Sequence, residues 1–232
     1  MPVAIVTGAS RGLGLALARE LSARGWDLVL DARSPEPLRA AARGLPGSGE
    51  VVPVPGDVTD AAHRAGLVAA ARGLGGVDLL VNNASALGAA PLVPLAELAA
   101  AGLREALETN VVAPAELTRA ALPALRAAGA GAVLNVTSDA AVEAYSAWGG
   151  YGASKAALER WSAVLAVEEP AVRVWWVDPG DLRTALYAAA CPDDPGAAAR
   201  PEPGSVVPSL LRLVDAGAPS GRYTASALAG AV

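Results

Sequence analysis

Tyr151 and Lys155 stand four residues apart in the segment Tyr151-Gly152-Ala153-Ser154-Lys155. On a helix that spacing puts both side chains on one face, about a turn apart. An ammonium beside a phenol favours the phenolate and draws down a pKa that is about 10 when unperturbed. Such a pair can give a proton to a carbonyl oxygen during reduction, or take one from an alcohol in reverse. Lysine occurs once in the 232 residues, and tyrosine only at Tyr145, Tyr151, Tyr187 and Tyr223. Chance would put the lysine four residues after a tyrosine about 2% of the time. The rest of the composition sharpens the point. There is no Phe or Gln, one Ile (Ile5) and four Asn (Asn82, Asn83, Asn110, Asn135), while Ala, Gly, Arg and Pro are abundant. Coding DNA rich in G and C produces this pattern, so a surviving Lys or Asn marks a position that needs that side chain.

Two further residues could serve the same chemistry. Ser138 follows the apolar run Val133-Leu134-Asn135-Val136-Thr137, thirteen residues before Tyr151. A hydroxyl at the end of that strand could hold a substrate oxygen against Tyr151, although Ser-Asp is equally an ordinary cap or turn. Asn110 lies inside a helical pattern, where Asn is a weak helix former. It could disrupt the helix and hold a water that relays protons to Lys155.

A glycine-rich turn, Thr7-Gly8-Ala9-Ser10-Arg11-Gly12-Leu13-Gly14, joins the first strand pattern to the first helix pattern. Glycines there permit a tight turn and let backbone amides approach a pyrophosphate at the helix N-terminus. The spacing lacks the lysine of a nucleoside-triphosphate loop, which argues against an ATPase or GTPase. The second strand ends Asp31-Ala32-Arg33-Ser34. An acid there would bind a ribose 2′-hydroxyl and favour NAD(H), whereas a cation favours the 2′-phosphate of NADP(H). Asp31 and Arg33 share a face of the strand. Arg33, with Arg11 in the glycine turn, favours NADP(H), and Asp31 stands as a rival for the ribose. Asp57-Val58 could meet an adenine or simply form a turn. Asn82-Asn83-Ala84-Ser85 suits a cofactor edge, or again a turn.

The elements that must position these residues follow from hydrophobic periodicity. Strands are expected over 3–7, 28–31, 51–54, 78–82, 132–137, 172–177 and 222–224, about seven in all. Helices are expected over 13–24, 35–43, 60–72, 95–128, 151–167 and 206–215, with Asp60 as an N-cap and Pro114 and Pro123 kinking or segmenting the long one. Strand–helix alternation implies an α/β fold, a single-domain, Rossmann-like, doubly wound parallel sheet with helices on both faces. One catalytic domain spanning 1–232 is expected, with 186–203 as a mobile loop over the crevice.

In order, Thr7-Gly8-x-x-x-Gly12-x-Gly14, Asp57-Val58, Asn82-Asn83-Ala84, Asn110, Ser138, Tyr151-x-x-x-Lys155 and Pro179-Gly180 resemble the short-chain dehydrogenase/reductase family over residues 3–184. The resemblance implies a catalytic tetrad of Asn110, Ser138, Tyr151 and Lys155. Tyr151 would exchange the proton, Ser138 orient the carbonyl, Lys155 bind the nicotinamide ribose and tune Tyr151, and Asn110 support the relay. It implies cofactor contacts from Gly8, Ser10, Arg11, Gly12, Leu13, Gly14, Arg33, Asp57, Val58, Asn83, Ala84, Tyr151 and Lys155. Pro179, Gly180, Leu182 and Thr184 would lie beside the carboxamide. It settles Asp31 in favour of NADP(H), because the acid of NAD-preferring members falls one residue later. Ser85 departs from the family's usual glycine, and the C-terminal part lacks its Asp-Gly-Gly ending. Family members pack subunits through that region, so a homodimer or homotetramer is expected.

The net charge of −5 without a basic run argues against nucleic acid. No apolar stretch is long enough for a membrane span, no signal sequence is apparent, and the single Cys191 excludes an internal disulfide or a cysteine metal site. A cytoplasmic enzyme acting on a small carbonyl or alcohol, with 3-oxoacyl groups as one candidate, is the expectation. A dinucleotide-binding regulator without turnover and an epimerase or dehydratase are the alternatives. Asp139, Glu143, Tyr145, Trp148 and Tyr187 are candidate substrate walls. His63 reads as an ordinary surface residue, and Arg126 and Arg173 as cations that could meet an acidic carrier.

Overall fold

A computed structural model of the chain describes residues 1–230. Seven parallel strands form one sheet in the order β3-β2-β1-β4-β5-β6-β7. They are β1 (Val3–Val6), β2 (Asp27–Ala32), β3 (Val51–Pro55), β4 (Leu79–Asn82), β5 (Ala132–Val136), β6 (Arg173–Asp178) and β7 (Gly221–Thr224). The helices are α1 (Gly12–Ala23), α2 (Pro35–Arg43), α3 (Ala61–Gly73), α4 (Ala100–Leu107), α5 (Ala113–Ala127), α6 (Gly149–Glu168), α7 (Ala185–Ala190), α8 (Pro203–Asp215) and α9 (Ala225–Gly230). β1, β2, β4 and β5 are buried along their whole length. A strand covered on both faces has no solvent side, which is why these segments read as nearly continuous Val, Leu and Ala.

Alternation of side chains along each strand divides the interior in two. Val6, Leu28, Leu30, Val81 and Leu134 face one way and pack against Leu17 and Leu21 of α1 and Leu210 and Leu211 of α8. Ile5, Val29, Leu80 and Val133 face the other way, against Leu67 and Val68 of α3 and Leu117 and Leu125 of α5. From β1 the chain winds outward through β2 to β3, then returns past β1 to start β4 on its other side. The loops after β1 and β4 therefore diverge and open a crevice at the strands' C-terminal ends.

Three expectations need correction. The long helix expected over 95–128 and kinked or segmented at its prolines runs from Ala100 to Ala127. It is interrupted by a π-helical turn over Glu108–Val112, centred on Asn110. Pro114 lies in the first turn of α5, directly after that π-helical turn, and Pro123 lies inside α5. The 186–203 segment carries α7 and a 3₁₀ turn over Ala197–Ala199. Arg200 clamps it by bonding Asp194 and Asp181 and stacking 4.0 Å over the ring of Tyr187. α9 follows β7, where the sequence suggested no helix. Asp60 caps α3 as expected, accepting the Ala62 N–H at 2.8 Å. No helix among the described residues is long and apolar enough to cross a membrane.

Leu80 is fully buried between β4's neighbours, whereas Leu95 is 68% exposed. Leu80→Ala should cost about 2–5 kcal/mol of unfolding free energy, and Leu95→Ala less than about 0.5 kcal/mol, as read from urea denaturation of the two variants.

Candidate functional site

The crevice is closed at its base by one threonine. Thr7 Oγ1 donates to the Val81 carbonyl at 3.2 Å and accepts the N–H groups of Asn83 at 2.9 Å and Ala84 at 3.0 Å. Asn83 Nδ2 returns the contact, donating to the Thr7 carbonyl at 2.9 Å. The glycine turn is thus bound to the end of β4. Gly8 and Gly12 adopt φ values of +65° and +59°, in the region that suits glycine. A Cβ on Gly14 would collide with the Gly8 carbonyl and the Asn83 amide, so α1 can approach the turn only with glycine there. Arg11, the N-cap of α1, makes no side-chain cap bond, which leaves the first N–H groups of the helix for another acceptor. Small, positively curved backbone, free helix-terminal N–H groups and exposed Arg11 and Arg33 at the rim fit the phosphates of a dinucleotide.

Beyond the end of β3, Val58 is buried and its carbonyl is held by Arg64 Nη1 at 2.8 Å. Asp57 Oδ1 accepts the Thr59 N–H at 2.9 Å and its hydroxyl at 2.8 Å, the turn role that the sequence left open. The Thr59 N–H in particular holds the Asp57 carboxyl below the usual carboxylate range, with Arg33 and His63 adding to the effect. His63 is not the surface residue expected of it. Its side chain is 8% exposed, and its Nε2 lies 2.6 Å from Asp31 Oδ1. Arg126 is not a free cation either, since its Nε donates to Glu169 at 2.8 Å.

At the other end of the crevice, α6 carries Tyr151 and Lys155 in its first turns, 7% and 2% exposed. Lys155 Nζ donates to the Val136 carbonyl at 2.8 Å and lies 5.4 Å from the centre of the Tyr151 ring. Trp148 meets that ring edge-on at 5.6 Å. Burial pushes the Tyr151 phenol up to about 12, although the facing Ser85 hydroxyl favours the anion. Burial likewise pulls Lys155 down to about 8. The lowering expected from the ammonium is not found: lost hydration raises the phenol, and the charges of Asp139 and Asp178 add to the rise.

Asn110 is fully buried, and both ends of its amide are engaged. Oδ1 accepts the Ala86 N–H and the Ser85 hydroxyl, and Nδ2 donates to the Ala86 carbonyl and Ser154 Oγ. This side chain pins the loop after β4 to α6 and has no bond left over for a water. Ser138 Oγ donates to Asp139 Oδ1 at 3.0 Å and caps the short turn that follows. Asp139 also accepts the Tyr145 hydroxyl at 3.0 Å, and Glu143 is exposed. Leu182 is buried, Gly180 takes φ +74° after Pro179, and Thr184 caps α7 within contact distance of Gly12. Leu87, Ala140, Ala190 and Trp148 surround Tyr151 with apolar surface. The sequence reading missed Leu87 and Ala190, and it named Thr7, Ser85 and Ser154 only as members of motifs, because their partners lie far away in the chain. A cavity of about 650 Å³ runs between α1 and α8 past Arg11, Gly12, Arg183 and Thr184. Neither Tyr151 nor Lys155 lines it.

A doubly wound sheet with a glycine turn at its reversal and a buried Tyr–Lys pair beside it defines a Rossmann-like oxidoreductase. The chain belongs to the short-chain dehydrogenase family, whose model matches residues 2–194. It is 37% identical to a polyketide synthase putative ketoacyl reductase for granaticin from Streptomyces violaceoruber, over 79% of this chain and 74% of that protein. It superposes with a TM-score of 0.87 on an alcohol dehydrogenase from Thermococcus sibiricus complexed with 5-hydroxy-NADP, at 28% identity over 97% and 95% of the two chains. A putative short-chain dehydrogenase from Escherichia coli complexed with NADPH gives a TM-score of 0.86, at 27% identity over 97% and 96%.

The buried pair makes stability depend on pH. Lys155 titrates near 8 folded and at 10.5 when exposed, so between those values the unfolded chain binds the extra proton. Stability should rise with pH across that window. Tyr151 acts oppositely, because its folded value of about 12 exceeds the reference 10.0, and stability should fall between them. Urea denaturation of the cofactor-free protein at several pH values should show both limbs, with Lys155→Met lacking the rise and Tyr151→Phe part of the fall.

Proposed function

We propose that the protein is an NADP(H)-dependent reductase of a ketone or 3-oxoacyl group, working reversibly on the matching secondary alcohol. The observation that carries this reading is the buried phenol of Tyr151 beside Lys155, set in an apolar wall at the crevice where the glycine turn opens. Bound across that crevice, the nicotinamide would supply hydride in reduction and accept it in the reverse direction. Gly8, Ser10, Arg11, Gly12, Leu13 and Gly14 would hold the pyrophosphate, and Asp57, Val58, Asn83 and Ala84 the adenosine side. Pro179, Gly180, Leu182 and Thr184 would orient the carboxamide. Arg33 would receive the 2′-phosphate, for which a planar cation is well suited.

Tyr151 Oη would give its proton to the substrate oxygen as negative charge builds there. A pKa near 12 does not prevent this, because an alkoxide is a far stronger base than a phenolate. Ser138 would turn its hydroxyl from Asp139 to the same oxygen, and Lys155 would leave the Val136 carbonyl for the ribose. Asn110 would act on the reaction by fixing Ser85 and α6. The ketoacyl reductase among the similar proteins makes 3-oxoacyl thioesters the first substrates to try. The chain would act as one catalytic domain, as a homodimer or homotetramer in the cytoplasm.

NADPH oxidation should be followed against a panel of ketones and 3-oxoacyl thioesters. Tyr151→Phe should lower kcat by about 10²–10⁴-fold while NADPH binding, read by fluorescence, changes less than about threefold. No turnover with any carbonyl in the wild type would overturn the reductase assignment. Arg33→Ala should weaken NADPH by about tenfold or more and NADH hardly at all.

A further inference from the structure

His63 is the only histidine of the chain, and it sits in a slot that the backbone makes for it. A Cβ on Gly56 would collide with the imidazole ring, so α3 can bring His63 against the end of β2 only because residue 56 is glycine. There Nε2 lies 2.6 Å from Asp31 Oδ1, and the Asp31 side chain is 2% exposed. Asp31 Oδ2 accepts the Gly8 N–H at 3.4 Å, and the Asp31 carbonyl accepts the Ala9 N–H at 2.8 Å. The carboxylate is therefore tied at both oxygens beneath the glycine turn. Two residues on, Arg33 is exposed. The other acid near it, Asp57, has one oxygen engaged by Thr59.

This arrangement bears on a conflict within the β2 terminus. A free acid there bonds ribose hydroxyls and repels a phosphate, whereas Arg33 attracts one. We infer that His63 is a specificity-determining residue: by taking up Asp31 it keeps that carboxylate off the ribose position and leaves Arg33 to receive a 2′-phosphate. The inference rests on the NADP(H) reading above and adds the residue that makes Asp31 compatible with it. Without the imidazole, Asp31 can swing toward the ribose, where it opposes the 2′-phosphate and favours the bare hydroxyl. A merely structural tie between α3 and β2 would instead affect both nucleotides alike.

The test uses the full chain and two probes, 2′,5′-ADP and 5′-AMP, the adenosine ends of NADP and NAD, titrated by calorimetry with melting temperatures alongside. Wild type should bind 2′,5′-ADP the more tightly. His63→Leu should weaken 2′,5′-ADP by about tenfold, the scale of a like charge placed beside a bound anion, and leave 5′-AMP within about twofold. Adding Asp31→Asn to that variant should restore 2′,5′-ADP binding. Equal weakening of both probes, no weakening of either, or no rescue would overturn the inference while leaving the NADP(H) reading in place. Wild-type preference for 5′-AMP would overturn that reading and the inference with it. Should His63→Leu fold poorly, Asp31→Asn alone decides. Unchanged 5′-AMP affinity supports a carboxylate held off the ribose, and lost 5′-AMP affinity places it there and overturns the proposal.

Discussion

A parallel sheet must be covered on both faces, and that requirement fixes where this chain can work. To clothe the second face the chain turns back between β1 and β4, so the two central strands send their following loops apart. The gap would be a weakness without a tie, because it separates two backbone ends with unused polar groups. Thr7 supplies the tie through one hydroxyl that donates to β4 and accepts two N–H groups from the chain beyond it. Asn83 completes it from the other side. The glycine turn, the start of α1 and the loop leading to Asn110 all take their positions from this small knot. The crevice is thus open to a ligand yet braced where the chain parts.

The reacting end is built on a costlier foundation. Two titratable side chains, Tyr151 and Lys155, are buried together, and both are pushed toward their neutral forms. Their burial depends on a polar seam through the sheet. Asn82 Nδ2 donates to Asn135 Oδ1 at 2.8 Å, and Asn135 Nδ2 donates to Ser162 of α6, also at 2.8 Å. Ser162 bonds back to the Leu158 carbonyl, so α6 is locked to β5 by hydrogen bonds as well as by packing. Apolar residues would bind the helix to the sheet just as firmly, but hydrogen bonds admit fewer registers. A fixed register matters here because it places Lys155 Nζ on the Val136 carbonyl, directly before Thr137 and Ser138.

What could be read in the sequence is whatever depends on neighbours within a few residues. The strands were legible because burial on both faces leaves unbroken apolar runs, and Tyr151 and Lys155 because a helix converts a spacing of four into a shared face. The glycine turn was legible because its conformation admits few other residues. The π-helical turn was not, since it depends on Asn110 finding Ala86 and Ser154, 24 and 44 residues away. His63 was misread for the same reason. Its helix shows where a residue points only once α3 is laid on β2, and its partner Asp31 is 32 residues distant. The segment at 186–203 looked like a loop because it is rich in Pro and Ala. Its organisation comes from Arg200 gathering Asp181, Asp194 and Tyr187, a pattern of charges that no local period reveals. The pKa values fall in the same class. Spacing shows which charges are neighbours, but the balance between charge and lost hydration depends on the packed surroundings.

The last strand gives this distinction a functional edge. β7 lies at the rim of the sheet, far from the glycine turn in the strand order. Yet Arg222 of β7 donates to Glu159 at 3.0 Å, and its Nη2 lies 3.5 Å from the Ser138 carbonyl. Glu159 is on α6, one turn beyond Lys155, and it also accepts the Thr137 hydroxyl at 2.9 Å. Two of these contacts meet at the Glu159 carboxylate, which joins the end of β5, the helix of Tyr151 and the edge strand. Ser138 is therefore held by its backbone carbonyl from one side, while its hydroxyl donates to Asp139 and accepts the Ala140 N–H on the other. The end of β5 thus has a brace from outside its own strand. The edge strand supplies it, although no chemistry-bearing motif lies on it.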